Sequence, residues 1–405
     1  MLPPQVTFWR NLRDLPAAIT LQSIAAGFLV VVVGYTGPLL IVIQAAQQNA
    51  LPPAQTASWI WAVTVGYGTT SIFMSLWYRQ PLTAPWSTAG AALLVTSLAQ
   101  FTLPQAVGAY VLAALAHVLL GMSGLFERVI RLVPPPIFLG MLAGILLRFG
   151  LGLFTILPER PLMVLAMLGV FVLLRRINFR APTLGALLVG VLIAAVSGDI
   201  RLASLEVQLT QPTLILPEFT LNAALSLALP LFFLSLTSQY APGVGVLQSS
   251  GYRASINGIL IIIGAASAFF ALFGGHGQSL GALTAALLTN PEAHPDPTRR
   301  YAASVAMGAW YILFGLFGAT VLGLFAAFPA ALVASVAGLA LSGTIASSLA
   351  NGLAAPENRD AAIITFLCAG ANFTLLGIGS PFWALVIGMA AHVLHSWRKQ
   401  HASGA

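Results

Sequence analysis

Two glycine- and proline-interrupted breaks carry the side chains able to do chemistry in an otherwise apolar chain. The stronger reads Phe273-Gly274-Gly275-His276-Gly277-Gln278-Ser279-Leu280-Gly281-Ala282-Leu283-Thr284, and the weaker Ala84-Pro85-Trp86-Ser87-Thr88-Ala89-Gly90-Ala91-Ala92-Leu93-Leu94. The tail of the weaker copy matches Thr284-Ala285-Ala286-Leu287-Leu288. Broken segments at corresponding places in two halves of a membrane protein point to a transport site, where half-helices aim their amide ends at a substrate. Backbone groups freed in lipid cost several kcal/mol each, so a pore-free structural protein has little use for such breaks. The expected protein is a secondary transporter.

The chemistry on offer suits an anion. Half-helix N-termini are expected at Ser87–Thr88 and Gln278–Ser279, where unpaired N–H groups and positive dipole ends would meet a carboxylate. The plainer alternatives are that Ser87 and Thr88 only cap a helix, and that Gly274, Gly275, Gly277 and Gly281 allow close helix packing. His276 is the ionisable side chain in the breaks and belongs to the class that titrates near neutral pH. It would bond the substrate or relay a proton, or else serve as a neutral structural donor. Tyr35 and Trp86 are candidate aromatic walls for a planar substrate, or simple packing residues. Gln239 and Tyr240 follow the polar stretch Leu234-Ser235-Leu236-Thr237-Ser238, read as a helix end that either exits into water or places Gln239 where segment eight meets segment ten. His117 and His392 fall in continuous spans and are read as satisfied core or interfacial groups.

No acidic residue falls well inside a predicted span, so neither a metal nor a sodium site built on buried carboxylates is expected. The same absence argues against an aspartate-based intramembrane protease. With no His-Glu-x-x-His motif and no convincing Ser/His pair, neither an enzyme nor a cofactor is expected.

The elements that position these residues must be membrane helices. Of the 405 residues 58% are hydrophobic and 7% charged, with mean hydropathy +0.92, whereas soluble domains carry about 25% charged residues. Fourteen segments are predicted, near 18–46, 56–78, 82–97, 105–122, 134–156, 161–174, 182–198, 217–238, 254–273, 276–290, 301–325, 330–352, 360–376 and 380–397. Segments three and ten are too short and polar for ordinary spans and suit half-helices. Ser123–Val133 alternates charged and apolar residues as an amphipathic linker on the membrane surface. The loop Pro291-Glu292-Ala293-His294-Pro295-Asp296-Pro297, before Arg299 and Arg300, reads as a rigid cytoplasmic turn. Arg10 and Arg13 precede an apolar run too long for a signal-peptide core, so that run is read as the first membrane helix.

Charge placement orients the layout. With the N-terminus inside, 14 of the 17 Lys and Arg residues fall on the cytoplasmic side and two, Arg160 and Arg201, outside, with Arg148 inside segment five. An extra or missing span would reverse every later loop, so this asymmetry supports an even span count with both termini cytoplasmic. The net charge of +7 belongs to loops facing anionic lipid rather than to a nucleic-acid partner. The one cysteine, Cys368, is read as a small core hydrophobe.

Tyr35-Thr36-Gly37-Pro38 is echoed by Tyr240-Ala241-Pro242-Gly243, an offset of 205 residues, and the two breaks are offset by 194. Seven spans per half is an odd number, so the halves, 1–198 and 217–405, must sit inverted. The hydrophilic stretch Asp199–Pro217 is their joint. The fold class expected is an all-α polytopic membrane protein of about 14 spans in two inverted seven-span repeats.

Taken together, these stretches resemble the BenE-type benzoate/proton symporter family over nearly the whole chain. The most specific parts are Ser238-Gln239-Tyr240-Ala241-Pro242-Gly243-Val244-Gly245-Val246-Leu247, Phe273-Gly274-Gly275-His276 and Pro291–Pro297 with Arg299-Arg300. Pro85-Trp86-Ser87-Thr88 and Leu376-Gly377-Ile378-Gly379-Ser380 add to them. The resemblance implies a uracil-permease-like seven-plus-seven fold. Its core domain would be formed by about 18–122 and 217–325 and its gate domain by about 134–198 and 330–397. It further implies elevator-like movement of core against gate, usually in homodimers. The chain departs from the family's common pattern at Tyr240 (Asn), Ala89 (Pro) and Gly277-Gln278-Ser279 (Ala-Ile-Asn). The acids that bind uracil in nucleobase permeases have no counterpart in spans eight and ten.

The expected function is proton-coupled symport of a small aromatic carboxylate, benzoate-like, across the cytoplasmic (inner) membrane. The substrate-binding set is Tyr35, Trp86, Ser87, Thr88, Gln239, Tyr240, His276, Gly277, Gln278 and Ser279, with His276 the proton-coupling candidate. The alternatives are a permease for a neutral planar ring such as a nucleobase, or an anion exchanger of the same fold.

Overall fold

The computed structural model describes residues 4–132, 134–177, 179, 182–200 and 206–402. Arg180 and Arg201, both used to orient the chain, lie outside the described residues. The first half contains α1 (Pro4–Ala18), α2 (Leu21–Thr36), α3 (Pro38–Gln48), α4 (Pro53–Tyr78), α5 (Thr88–Ser97) and α6 (Leu103–Ser123). After these come α7 (Phe126–Leu132), α8 (Pro135–Thr155), α9 (Pro161–Arg176) and α10 (Pro182–Val196). The second half contains α11 (Leu221–Ser249), α12 (Ile256–Ala271), α13 (Ala282–Leu288), α14 (Tyr301–Leu316) and α15 (Gly318–Ala326). It ends with α16 (Ala330–Gly352), α17 (Arg359–Gly370) and α18 (Ser380–Ala402).

Five helical stretches among the described residues are long and apolar enough to cross a bilayer: Leu21–Gln48, Leu103–Ser123, Pro135–Thr155, Leu221–Ser249 and Ala330–Gly352. The stretch Pro297–Leu316 with Gly318–Ala326, bent by 68°, makes a sixth if counted as one span. The protein is therefore a mostly helical, multi-pass membrane protein. Helices lie in each of the fourteen predicted stretches, but the remaining ones are shorter or more polar, and length and composition alone do not make them spans.

Sequence chemistry explains where the helices start and break. Thr20 and Ser23 form a reciprocal capping box at the start of α2, satisfying donors that the first turn leaves open. Pro38 has no N–H to continue α2, so the chain breaks at Gly37 and restarts as α3. In α11, Pro230 and Pro242 cannot donate to the carbonyls of Ser226 and Ser238, four residues earlier. The helix widens to a π-turn at Ala224–Ala228 and again at Leu236–Tyr240. It does not end there. The polar run before Gln239 is mid-helix, and the hydroxyls of Thr237 and Ser238 donate to the Phe233 and Leu234 carbonyls (2.8 and 2.5 Å), so no exit into water is needed.

The all-helical expectation also needs one correction. Thr374–Leu375 and Ile378–Gly379 pair as a two-stranded hairpin, β1 and β2. Leu376 and Gly377 both take positive φ (55° and 75°), the two-residue turn whose twist matches antiparallel strands. The loop after Pro291 is tied down as expected of a rigid turn. Arg300 donates to the carbonyls of His294 (2.9 Å) and Thr289 (2.5 Å), and the Tyr252 hydroxyl donates to that of Pro297 (2.9 Å).

The helices pack in two sets. In one, α4 lies against α14, α6 against α12, α2 against α14 and α3 against α5; in the other, α8 lies against α16 and α17, α9 against α10 and α17 against α18. Small residues let these backbones approach, as membrane helix pairs require. A Cβ on Gly68 would meet the Gly308 carbonyl oxygen at 2.4 Å, and one on Gly308 would meet that of Gly68 at 2.6 Å. Gly140 and Gly144 stand at 2.4 Å from the carbonyl oxygens of Ala362 and Phe366 by the same measure. Gly308→Ala is therefore expected to force α4 and α14 apart and destabilise the protein by about 1–3 kcal/mol. A lowered unfolding temperature in detergent would show it; an unchanged one would mean the helices separate without cost.

Candidate functional site

The two breaks meet. Residues 83–87 and 277–281 run antiparallel in extended conformation, with Trp86 opposite Gln278. The Ser87 N–H donates to the Gly277 carbonyl (3.2 Å), Ser279 N–H to that of Pro85 (2.9 Å) and Gly281 N–H to that of Thr83 (3.2 Å). The hydroxyls of Thr83 and Thr284 lie 2.7 Å apart across the same crossing. This pairing satisfies backbone groups that would otherwise be stranded in the bilayer.

Each extended stretch feeds a short helix. Ser87 caps α5, its Oγ accepting from the Gly90 N–H at 3.0 Å. The second helix starts at Ala282, with Gly281 as its cap, and not at Gln278–Ser279 as the sequence suggested. The N–H groups of Ser279 and Gly281 are consumed by the strand pairing, which delays the helix. Gly277 makes the extended path possible with φ +101°, and nothing lies within 4 Å of where a Cβ would sit. Only glycine holds that backbone without strain of about 1–3 kcal/mol. Gly277→Ala is thus expected to impair transport through the backbone alone, since there is no clash to blame. Uptake equal to the parent protein, with unchanged thermal stability, would show that the crossing tolerates a different path.

His276 is fixed by two bonds. The Trp59 indole N–H donates to Nδ1 at 3.0 Å, and Nε2 lies 2.9 Å from the Ser87 carbonyl oxygen. An indole nitrogen can only donate, so Nδ1 is the acceptor and Nε2 carries the proton given to Ser87. The neutral imidazole is fully satisfied and ties α4 to the cap of α5.

Beside the crossing lies a cavity of about 400 Å³, toward the small end of ligand sites, which run about 300–1,000 Å³. Both half-helix starts border it: Thr88 and Ala89 of α5, and Ala282, Leu283 and Thr284 of α13. Three aromatic rings form one wall. Tyr67 and Tyr311 lie 4.2 Å apart between centroids, and Trp86 meets each edge-on at 5.9 Å. Gln239 and Ser238 of α11 contribute polar groups, while Leu142, Leu146, Thr183, Ala340 and Thr344 reach it from α8, α10 and α16. Among the described residues bordering it, none carries a charged side chain.

The cavity redistributes the predicted site. Trp86, Thr88 and Gln239 border it. Ser87, His276, Gly277 and Gln278 instead border a much smaller cavity behind the crossing, and Ser279 is fully buried in the pairing. Tyr35 packs behind Tyr311, 6.0 Å between ring centroids. Tyr240 is fully buried beside His117, its ring 5.3 Å away. Sequence reasoning missed Tyr67 and Tyr311. The one local signal was Gly66-Tyr67-Gly68, an aromatic residue between two small ones.

The arrangement can hold a small planar anion against aromatic faces with two sets of first-turn amides. The BenE family model, "Benzoate membrane transport protein", matches residues 17–394. The chain is 39% identical over 383 residues to the benzoate membrane transport protein of Acinetobacter baylyi, covering 95% of this chain and 97% of the relative. It is 38% identical over 372 residues to the inner membrane protein YdcO of Escherichia coli, covering 92% and 95%. Among solved structures, SLC26A9 superposes with TM-score 0.63 at 14% identity, over 93% of this chain and 65% of that one. The transmembrane domain of a cyanobacterial bicarbonate transporter, BicA, superposes with TM-score 0.61 at 17% identity, over 96% and 97%. At those identities the structural likeness speaks to fold alone.

Proposed function

The chain belongs to the benzoate membrane transport family, a family of membrane transport proteins and not enzymes, and we propose that it imports benzoate or a close aromatic carboxylate together with protons across the inner membrane. The observation that carries this reading is the uncharged cavity walled by Tyr67, Trp86 and Tyr311 and bordered by two helix starts. Aromatic faces select a planar ring. Each helix start stabilises a carboxylate by about 0.3–2 kcal/mol, and direct N–H bonds to a charged acceptor add about 1.5–3 kcal/mol each. Those contributions offset desolvation without a lysine or arginine. A neutral ring such as uracil would gain less from the same dipoles.

The reading extends to movement. The packing pairs interchange under a two-fold relation between halves: α4 with α14 corresponds to α12 with α6, and α9 with α10 to α17 with α18. That supports two inverted seven-span repeats, fourteen spans in all with both termini cytoplasmic. The cavity draws residues from both packing sets, which suits a core (about 18–122 and 217–325) sliding against a gate (about 134–198 and 330–397). Because no carboxylate or histidine borders the cavity among the described residues, anion exchange is the second reading, and the homodimer implied by the family resemblance is part of the proposal.

Uptake of labelled benzoate and uracil into proteoliposomes, with and without an inward proton gradient, tests it. Benzoate accumulation that follows the gradient is the expected result. Gradient-independent exchange of anions would favour the second reading, and uracil uptake alone would overturn both.

A further inference from the structure

We infer that His117, and not His276, holds the co-transported proton, in a buried polar pocket directly behind the substrate crossing. The inference rests on the proton-coupled reading above and names the residue that performs the coupling. The pocket measures about 20 Å³, space for one water molecule. Tyr110, His117, Ser235, Ser267, His276 and Gln278 give it polar groups, and it shares Ser87 and Gly277 with the crossing. The Tyr110 hydroxyl and both side-chain polar atoms of Gln278 are buried without a partner among the described residues. Buried polar groups of this kind are normally satisfied, so they mark a place built for something polar.

The two histidines bordering the pocket differ in what faces them. His276 receives the Trp59 N–H on Nδ1 and contacts the Ser87 carbonyl through Nε2. A second proton would set N–H against N–H, and Trp59 has no way to reverse. His117 has a hydroxyl partner instead. Its Nε2 lies 2.7 Å from Ser235 Oγ, whose own proton goes to the Phe232 carbonyl at 2.8 Å. With the hydroxyl proton so placed, Nε2–H donates to Ser235, and protonating the other nitrogen leaves that bond intact. The rings of Phe232 and Tyr240 lie 4.9 and 5.3 Å from the imidazole, a distance at which aromatic faces attract a cation. The titratable groups facing it are Tyr110 from its own helix α6, Tyr240 from α11 and His276 from the crossing; α12 offers the neutral Ser267. Among the described residues, no carboxylate, lysine or arginine borders the pocket.

A buried imidazolium without a counter-charge is costly. A carboxylate at the start of α5 supplies that counter-charge, and the imidazolium in turn stabilises the carboxylate. Each favours the other's binding by the same factor, which is the thermodynamic content of symport. A proton from the outer solution forms one N–H bond on His117 and leaves to cytoplasmic water after the anion departs. No other bond changes, and the moving core carries no net added charge.

His117→Gln keeps a hydrogen-bonding side chain that cannot charge, and the proteoliposome assay reads its effect in two modes. The parent protein should accumulate benzoate about tenfold per pH unit of inward gradient and acidify the lumen, reported by a trapped pH dye, above the rate of protein-free liposomes. His117→Gln should lose both while benzoate–benzoate counterflow at equal pH persists. His276→Gln should slow every mode but keep the proton-to-benzoate ratio. Should His117→Gln fail to fold, Ser235→Ala serves in its place, with accumulation expected to fall more than counterflow. Full gradient-driven accumulation and lumen acidification by His117→Gln, or by Ser235→Ala in that case, would overturn the inference. Failure of the parent protein to acidify the lumen with benzoate would instead overturn the proton-coupled reading on which it rests.

Discussion

Joining Gly37→Cys to Ala340→Cys by oxidation, in a Cys368→Ser background, is expected to stop benzoate uptake, with recovery on reduction. Gly37 sits at the break between α2 and α3 in the packing set that carries the crossing, and Ala340 lies on α16 in the other set. Both border the cavity. A Cβ on Gly37 would stand 2.9 Å from that of Ala340, so a separation of about 1 Å reaches ordinary disulfide geometry. Elevator transport requires this contact to slide by far more than a side chain can follow, so the bond should reduce uptake to that of protein-free liposomes. Benzoate binding to the oxidised protein, measured by calorimetry, should survive if only movement is blocked. Continued uptake with cross-linking complete by gel mobility would show that the two helix sets do not move against each other.

Much of this site was legible because chain breaks in lipid are costly and therefore meaningful. Two glycine- and proline-marked interruptions, 194 residues apart, were enough to expect that they serve one place. Hydropathy located the helices, since bilayer thickness constrains length. Details set by distant partners were not legible. The start of α13 at Ala282 depends on strand bonds to Thr83 and Pro85, and no local propensity records them. The continuation of α11 past Tyr240 depends on π-turns around two prolines, so its polar residues looked like an exit into water. Tyr67 and Tyr311 sit in long helices with ordinary patterning, and become a wall only because α4 and α14 cross at Gly68 and Gly308. His276 drew attention as the ionisable residue in a break, but its bonds to Trp59 and Ser87 join residues 217 and 189 positions away and leave no local signal.

The second large effect is expected at Trp86. Its indole closes the aromatic wall, edge-on to Tyr67 and Tyr311 at interplanar angles of 85° and 88°, and its side chain is buried. Stacking of a planar ring on an aromatic side chain is worth about 1–3 kcal/mol by alanine substitution. At 1.4 kcal/mol per tenfold, Trp86→Ala should raise the half-saturating benzoate concentration about 5- to 150-fold. Truncation also leaves a void that lowers stability by about 3–5 kcal/mol, so affinity alone would not separate a substrate wall from a packing residue. Selectivity does. A wall acts on the ring of the substrate, so the preference for benzoate over an aliphatic carboxylate of similar size should collapse in Trp86→Ala. General loosening would weaken both alike. Trp86→Phe keeps a ring face and should preserve most of that preference, its residual loss reporting the indole N–H, which has no partner among the described residues. Counterflow with the two carboxylates in competition measures the ratio directly. A ratio unchanged in Trp86→Ala would move ring recognition away from Trp86, leaving Tyr67 and Tyr311 as the faces to test next.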